Sequence, residues 1–279
     1  MTTTLKLWFD TIKTTLINIR ALVVFAIIYA LLLATFFRFI WIREATVWQV
    51  FVTYAFMILI PAEFFIFQAS IIDRVRDQKF RWRAIVTDAL KFFVATIPVL
   101  LIAWLVYYLL NKIAVRFPPP VVQTLPVVPG PPKPQTLHWP TLIFATLRFV
   151  LWGVALPLAT IHLWIAVAGG EIRSLFDGGA KPFLKRIGSA VAHAFASESI
   201  LIYALGLIVF FVLPYAMLFV PFSPKGNKTE FVMFILRLLL CFIFSLIGWV
   251  VTISALTKSS TETAPTVSFA IAEPVEAAA

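Results

Sequence analysis

Apolar residues gather in six runs, at 21–42, 47–71, 92–112, 141–169, 199–222 and 231–256. Each is long enough to cross a hydrocarbon core of roughly 30 Å, which takes about 20 residues of helix. Short polar connections separate them, and a backbone crossing lipid must satisfy its own hydrogen bonds. The pattern therefore predicts an all-α polytopic membrane helix bundle of six transmembrane helices in three hairpins. The first run lacks a small-residue cleavage site after it and reads as a retained span. Trp41, Trp139 and Trp249 stand near run ends, where aromatic rings settle at headgroup level.

A second periodicity precedes each odd-numbered run. In the segment from Phe80 to Phe93, Trp82, Ile85, Val86, Ala89, Leu90, Phe92 and Phe93 share one half of a helical wheel. Arg81, Arg83, Thr87, Asp88 and Lys91 take the other half. Near the N-terminus, Leu5, Trp8, Phe9, Ile12, Leu16 and Ile19 form a similar face, as do Phe183, Leu184, Ile187, Ala190, Val191, Ala194 and Phe195 before the fifth run. Each hairpin is thus expected to follow an amphipathic surface helix. Three units result, at about 5–72, 80–170 and 183–257, within one membrane domain at 1–257. The outer loop 116–140 holds nine of the 18 prolines and reads as an extended, stiff connection. The tail 258–279 is polar and mildly acidic and reads as a disordered cytoplasmic extension.

Composition agrees with a membrane chain: 61% of the residues are hydrophobic and 13% charged. The net charge of +10 lies beside apolar runs rather than in a soluble block, which points to anionic lipid headgroups and away from nucleic acid. The N-terminus, the second loop, the fourth loop and Lys258 carry 14 of the 23 lysines and arginines, against 7 on the opposite side. That bias places both termini in the cytoplasm. Candidate headgroup contacts on that face are Arg74, Arg76, Lys79, Arg81, Arg83, Lys185 and Arg186, with membrane lipids as partners.

Charge inside a span is costly, which singles out Glu63, Arg148, His162 and Arg237. Counting residues from the run ends puts the two arginines near the outer face and Glu63 with His162 near the inner one, the tiers on the order of 10 Å apart. Glu63 and His162 form a candidate polar pair, read either as a packing hydrogen bond or as a proton-responsive site. Arg148 and Arg237 occupy matched positions in two units and are candidate contacts for a lipid phosphate, or else snorkel to the outer headgroups. Pro61, Pro98, Pro157 and Pro214 lie within runs and are expected to bend them, freeing carbonyls for neighbouring side chains. Gly169-Gly170 and Gly178-Gly179 suggest a hinge before the third surface helix.

Several chemistries lack their core elements. The lone Cys241 has no partner for a disulfide, and three histidines with no HExxH leave no clustered metal site. There is neither a GxSxG nucleophile elbow nor a GxxxxGK[ST] phosphate loop, and no cofactor is expected.

The segments LKLWFDTIKTTLINI, FRWRAIVTDALKFF and FLKRIGSAVAHAF, each feeding a span, give the chain a resemblance to bacterial multi-pass proteins related to the membrane domain attached to some glycerophosphodiesterases. The resemblance implies a bacterial inner-membrane accessory or scaffold protein associating with lipids, and it carries over no catalytic residue. The six spans with cytoplasmic termini also resemble permease subunits of ABC exporters. In that alternative the loop from Asp73 to Asp88 would couple to a separate ATPase.

Overall fold

The computed structural model describes residues 2–43, 46–118, 138–168, 179–220 and 226–263. Every regular element among them is helical. In order these are α1 (Thr2–Ile17), α2 (Ile19–Ile40), α3 (Val47–Asp77), α4 (Trp82–Ala114), α5 (Trp139–Val150) and α6 (Leu156–Val167). There follow α7 (Ala180–Ala194), α8 (Ser197–Leu207), α9 (Leu213–Phe219) and α10 (Asn227–Thr263). Wide π turns at Leu151–Ala155 and Ile208–Val212 join α5 to α6 and α8 to α9. Six helices are long and apolar enough to cross a membrane: Ile19–Ile40, Val47–Asp77, Trp82–Ala114, Trp139–Val167, Ser197–Phe219 and Lys228–Thr261. The chain is an integral membrane protein with an all-α bundle.

Helices α3 and α10 form the centre. The first packs against α2, α4 and α10, and the second against α1, α6, α8 and α9. One end of the bundle, the basic end, carries α1, α7 and the α3–α4 turn.

Two of the three surface segments are distinct helices. Helix α1 is separated from α2 at Asn18, whose side chain accepts from the Ala21 N–H, and α7 stops at Phe195 before α8. The middle segment differs from expectation, because Trp82–Ala114 is one uninterrupted helix. Phe80 to Phe93 is therefore largely the first part of a span rather than a separate surface helix. A four-residue turn leads into it, with Gln78 in the left-handed region (φ 57). Arg81 closes this turn: its backbone N–H donates to Asp73 Oδ2 at 3.1 Å and its guanidinium to Asp73 Oδ1 at 3.1 Å and to Asp77. With both helix ends pinned there is no free linker in which a surface helix could turn away.

Residues 258–263, expected in the tail, are helical instead. Helix α10 runs on to Thr263 because its last turns have partners: Lys258 Nζ lies 3.4 Å from the hydroxyls of Thr11 and Thr14, and Ser260 Oγ lies 3.4 Å from His162 Nδ1. Residues 264–279, most of the proline-rich loop (119–137), and the glycines at 169, 170 and 178 lie outside the described residues, as do the side chains of Phe183, Leu184 and Arg186.

The two π turns follow from proline. A proline within a helix lacks an N–H and crowds the carbonyl four residues earlier, and widening the turn relieves that contact. For Pro157 the freed carbonyl is that of Gly153, which accepts the Tyr203 hydroxyl of α8 at 2.9 Å. For Pro214 it is that of Phe210, which accepts the Ser245 hydroxyl of α10 at 3.3 Å. Each bend is thus tied to a neighbouring helix. Replacing Tyr203 with phenylalanine is expected to cost about 1 kcal/mol, the scale of one interhelical hydrogen bond in a membrane protein. A lower melting temperature in detergent, with monomeric elution retained, is the measurement that checks it.

Candidate functional site

At the basic end three of the seven expected headgroup contacts, Arg74, Arg76 and Arg81, already have partners within the protein. Arg74 stacks over the Phe80 ring at 5.6 Å, and Arg76 Nη1 donates to the Ala168 carbonyl that ends α6, at 2.5 Å. The hydrogen bond from Arg81 to Asp73 raises the Arg81 guanidinium above the ordinary arginine range, so it stays a cation committed to the turn. Lys79, Arg83 and Lys185 are exposed, and their side chains have no hydrogen-bonding or ion-pair partner among the described residues. These three remain available to headgroups.

Glu63 and His162 do not meet. Glu63 Oε1 accepts the Thr35 hydroxyl of α2 at 3.1 Å, whereas His162 turns to Ser260 of α10. Depth does not separate them, since Phe64 and Phe65, next to Glu63, reach the ring of Trp164, two residues from His162. Direction does. Two residues along a helix turn the side chain by about 200°, so with Trp164 directed at α3 and α4, His162 faces the opposite way. The Trp164 indole donates to Thr96 Oγ1 at 2.9 Å and stacks on Phe92, which fixes that orientation. Both residues keep one buried atom without a partner among the described residues, Glu63 Oε2 and His162 Nε2.

The two arginines likewise form no common site. Arg148 lies over Tyr107 of α4, 6.0 Å from the ring, with its Nε buried and without a hydrogen-bond partner among the described residues. Arg237 donates to the Val220 carbonyl that ends α9, at 3.1 Å. Matched sequence positions gave each a different helix as neighbour.

Between α3 and α4 lies an open apolar groove of about 520 Å³, lined by Met57, Pro61, Phe65, Val86, Leu90 and Phe93 among others. Its volume falls in the range of small-molecule and cofactor sites. Pro61 and Ala62 leave room on the α3 side, and Val86, Leu90 and Phe93 stay exposed on the α4 side. Thr87, also in the lining, bonds back to the Arg83 carbonyl at 3.0 Å. Arg83 therefore stands one helical turn before Thr87 and two before Leu90, on the groove side of α4 at its basic end.

The wheel reading missed a charge pair. Lys91 Nζ lies 2.5 Å from Asp88 Oδ1, with the lysine side chain fully buried and the aspartate nearly so. Opposite charges three residues apart at the edge of an apolar run were the available signal. Compared with known proteins, the chain matches no family model, no curated protein and no solved structure.

Proposed function

We propose that this integral membrane protein is a non-enzymatic accessory or scaffold protein that associates with lipids in a bacterial inner membrane, its basic end in the cytoplasm. The observation that carries this reading is the α3–α4 groove: an apolar channel open at the side of the bundle with an exposed arginine, Arg83, aligned at its basic end. An acyl chain suits the channel, and the phosphate of the same lipid suits the arginine. The repeated segments that resemble the membrane domain of certain glycerophosphodiesterases add support, as does the lysine and arginine bias along the chain. A permease subunit gains less, because the connection that would couple to an ATPase is a four-residue turn held by Asp73 and Asp77.

Native mass spectrometry of the protein released from phosphatidylethanolamine and phosphatidylglycerol nanodiscs tests this. The wild type is expected to retain at least one phospholipid. Ala62→Trp, which fills the groove, is expected to release it, and Arg83→Gln to abolish the preference for phosphatidylglycerol. Unchanged retention in Ala62→Trp at unchanged melting temperature would reject the reading.

A further inference from the structure

A smaller cavity, of about 160 Å³, lies at the basic end between the α1–α2 junction, the end of α3 and the last turns of α10. Val250, Ser254 and Lys258 line it at four-residue steps along one face of α10. Phe25 and Val250 lie deeper in the spans, whereas Asn18, Arg74 and Lys258 lie toward the end of the bundle. Two cations from different helices, Arg74 and Lys258, thus line one small space, and among the described residues no carboxylate lines it with them. The two carboxylates in the last turns of α3, Asp73 and Asp77, are both committed to Arg81. Like charges lining one cavity without a counter-charge disfavour each other, and a bound anion removes that cost.

We infer that this cavity binds the dianion of a phosphate monoester between the Arg74 guanidinium and the Lys258 ammonium, with the Ser254 hydroxyl and the Asn18 amide completing the donor set. Each of these groups has a donor to give. Arg74 lies over Phe80 at 5.6 Å, and its N–H groups have no acceptor among the described residues. The Thr11 and Thr14 hydroxyls donate to the carbonyls of Leu7 and Thr11, so toward Lys258 Nζ, 3.4 Å from each, they act as acceptors. That leaves one hydrogen of the ammonium for a ligand. Asn18 Oδ1 accepts the Ala21 N–H, and the amide N–H groups stay unspent. Ser254 is 5% exposed, its hydroxyl has no partner among the described residues, and the oxygen stays within reach of water. A monoester suits two cations better than a diester does, because it carries about −1.5 to −2 charges at neutral pH. Guanidinium and ammonium both give phosphate charge-assisted hydrogen bonds, the first in a matching planar fork. The alcohol of the ester lies at the open side of the cavity, so the same chemistry serves phosphatidic acid and a soluble ester such as glycerol 3-phosphate. The site does not rest on the α3–α4 groove, with which it shares no lining residue.

The test uses the full chain in two arms. Delipidated protein in detergent is titrated calorimetrically with glycerol 3-phosphate and with dimethyl phosphate, a diester. Protein released from nanodiscs holding equal amounts of phosphatidic acid and phosphatidylglycerol is scored for bound lipid by native mass spectrometry. Arg74→Gln, Lys258→Gln and the uncharged change Ser254→Ala are compared with the wild type and with Ala62→Trp. Saturable binding of glycerol 3-phosphate, about tenfold or more tighter than that of dimethyl phosphate and weakened about tenfold in each cavity variant, supports the site with a soluble ligand. Phosphatidic acid retained over phosphatidylglycerol, lost in the cavity variants and kept in Ala62→Trp, supports it with a headgroup. Should the charge variants fail to fold, Ser254→Ala alone decides in the same sense. Equal binding in wild type and the cavity variants, no preference for the monoester in either arm, a preference lost only in Ala62→Trp, or no binding in either arm overturns it.

Discussion

Replacing Asp88 with leucine is expected to destabilise the bundle by about 3–5 kcal/mol, the scale seen when one partner of a buried ion pair is removed. The carboxylate lies 2.5 Å from Lys91 Nζ, and the lysine side chain is fully buried where α4 packs against α3 and α6. Without Asp88 the ammonium loses a counter-charge in direct contact, at a site where the lysine side chain has no access to water. Leucine supplies the volume, so the loss measures charge rather than a cavity. The double variant Asp88→Leu plus Lys91→Met removes both charges and is expected to recover most of the stability, since a well-packed apolar pair replaces a buried ion pair at little net cost. Denaturant unfolding in detergent micelles, followed by tryptophan fluorescence, gives both numbers. A single variant as stable as the wild type would mean that Lys91 keeps its charge satisfied without Asp88.

This pair also shows where a helical wheel stops being informative in a membrane protein. The six spans were legible because length and apolarity alone define them. The faces were not, because the wheel separates apolar from polar residues, whereas a lipid-embedded helix separates lipid-facing from protein-facing ones. In α4 the apolar half divided: Ile85, Ala89 and Phe92 went inward, while Trp82, Val86, Leu90 and Phe93 stayed outside with Arg83. Asp88 and Lys91, placed on the polar half of the wheel, went inward, where each offers the other a counter-charge. In α1 the face against the bundle is Thr4, Trp8 and Thr11, while Phe9 and Leu16 are exposed. Small hydroxyl side chains let backbones approach closely, and lipid welcomes phenylalanine as readily as a core does. Only α7 follows the wheel at most of its described positions, with Ile187, Ala190 and Ala194 buried and Ser189 and His193 exposed.

The candidate site divides in the same way. That intramembrane charges need partners was readable from residue type, and depth was readable from counting. Which helix each side chain would face was not, because that depends on packing between distant elements. Glu63 met Thr35 and His162 met Ser260, a residue expected to lie in a disordered tail. The prolines came closer. Freed carbonyls were expected, but that Tyr203 and Ser245 would fill them depends on how α8 and α10 cross.

That crossing is the place where one added side chain should do most harm. A Cβ at Gly248 would lie 2.7 Å from the Phe210 backbone nitrogen and 2.9 Å from Val209 Cγ1, and a Cβ at Gly206 would overlap the Thr252 side chain. The two contacts are reciprocal, since 206 and 210 on one helical arm of the hairpin face 252 and 248 on the other, four residues apart in each. Thr252 cannot simply rotate away without giving up its bond to the Gly248 carbonyl at 2.6 Å. A backbone nitrogen cannot rotate at all, so Gly248→Leu is the more severe change, expected to cost about 3 kcal/mol, the upper part of the range for overpacking. Moving α10 outward there also pulls Ser245 from the Phe210 carbonyl that Pro214 left without its helical donor, and Trp249 from its edge-on contact with Phe210 at 5.1 Å. Gly188 on α7 provides the contrast, because a Cβ there meets nothing within 4 Å. Gly188→Ala is expected to stabilise the helix by about 0.5–1 kcal/mol, through chain entropy alone. Thermal unfolding of the three proteins side by side should therefore place Gly248→Leu well below the wild type and Gly188→Ala slightly above it. Equal melting temperatures for Gly248→Leu and wild type would mean that α8 and α10 do not cross at these glycines.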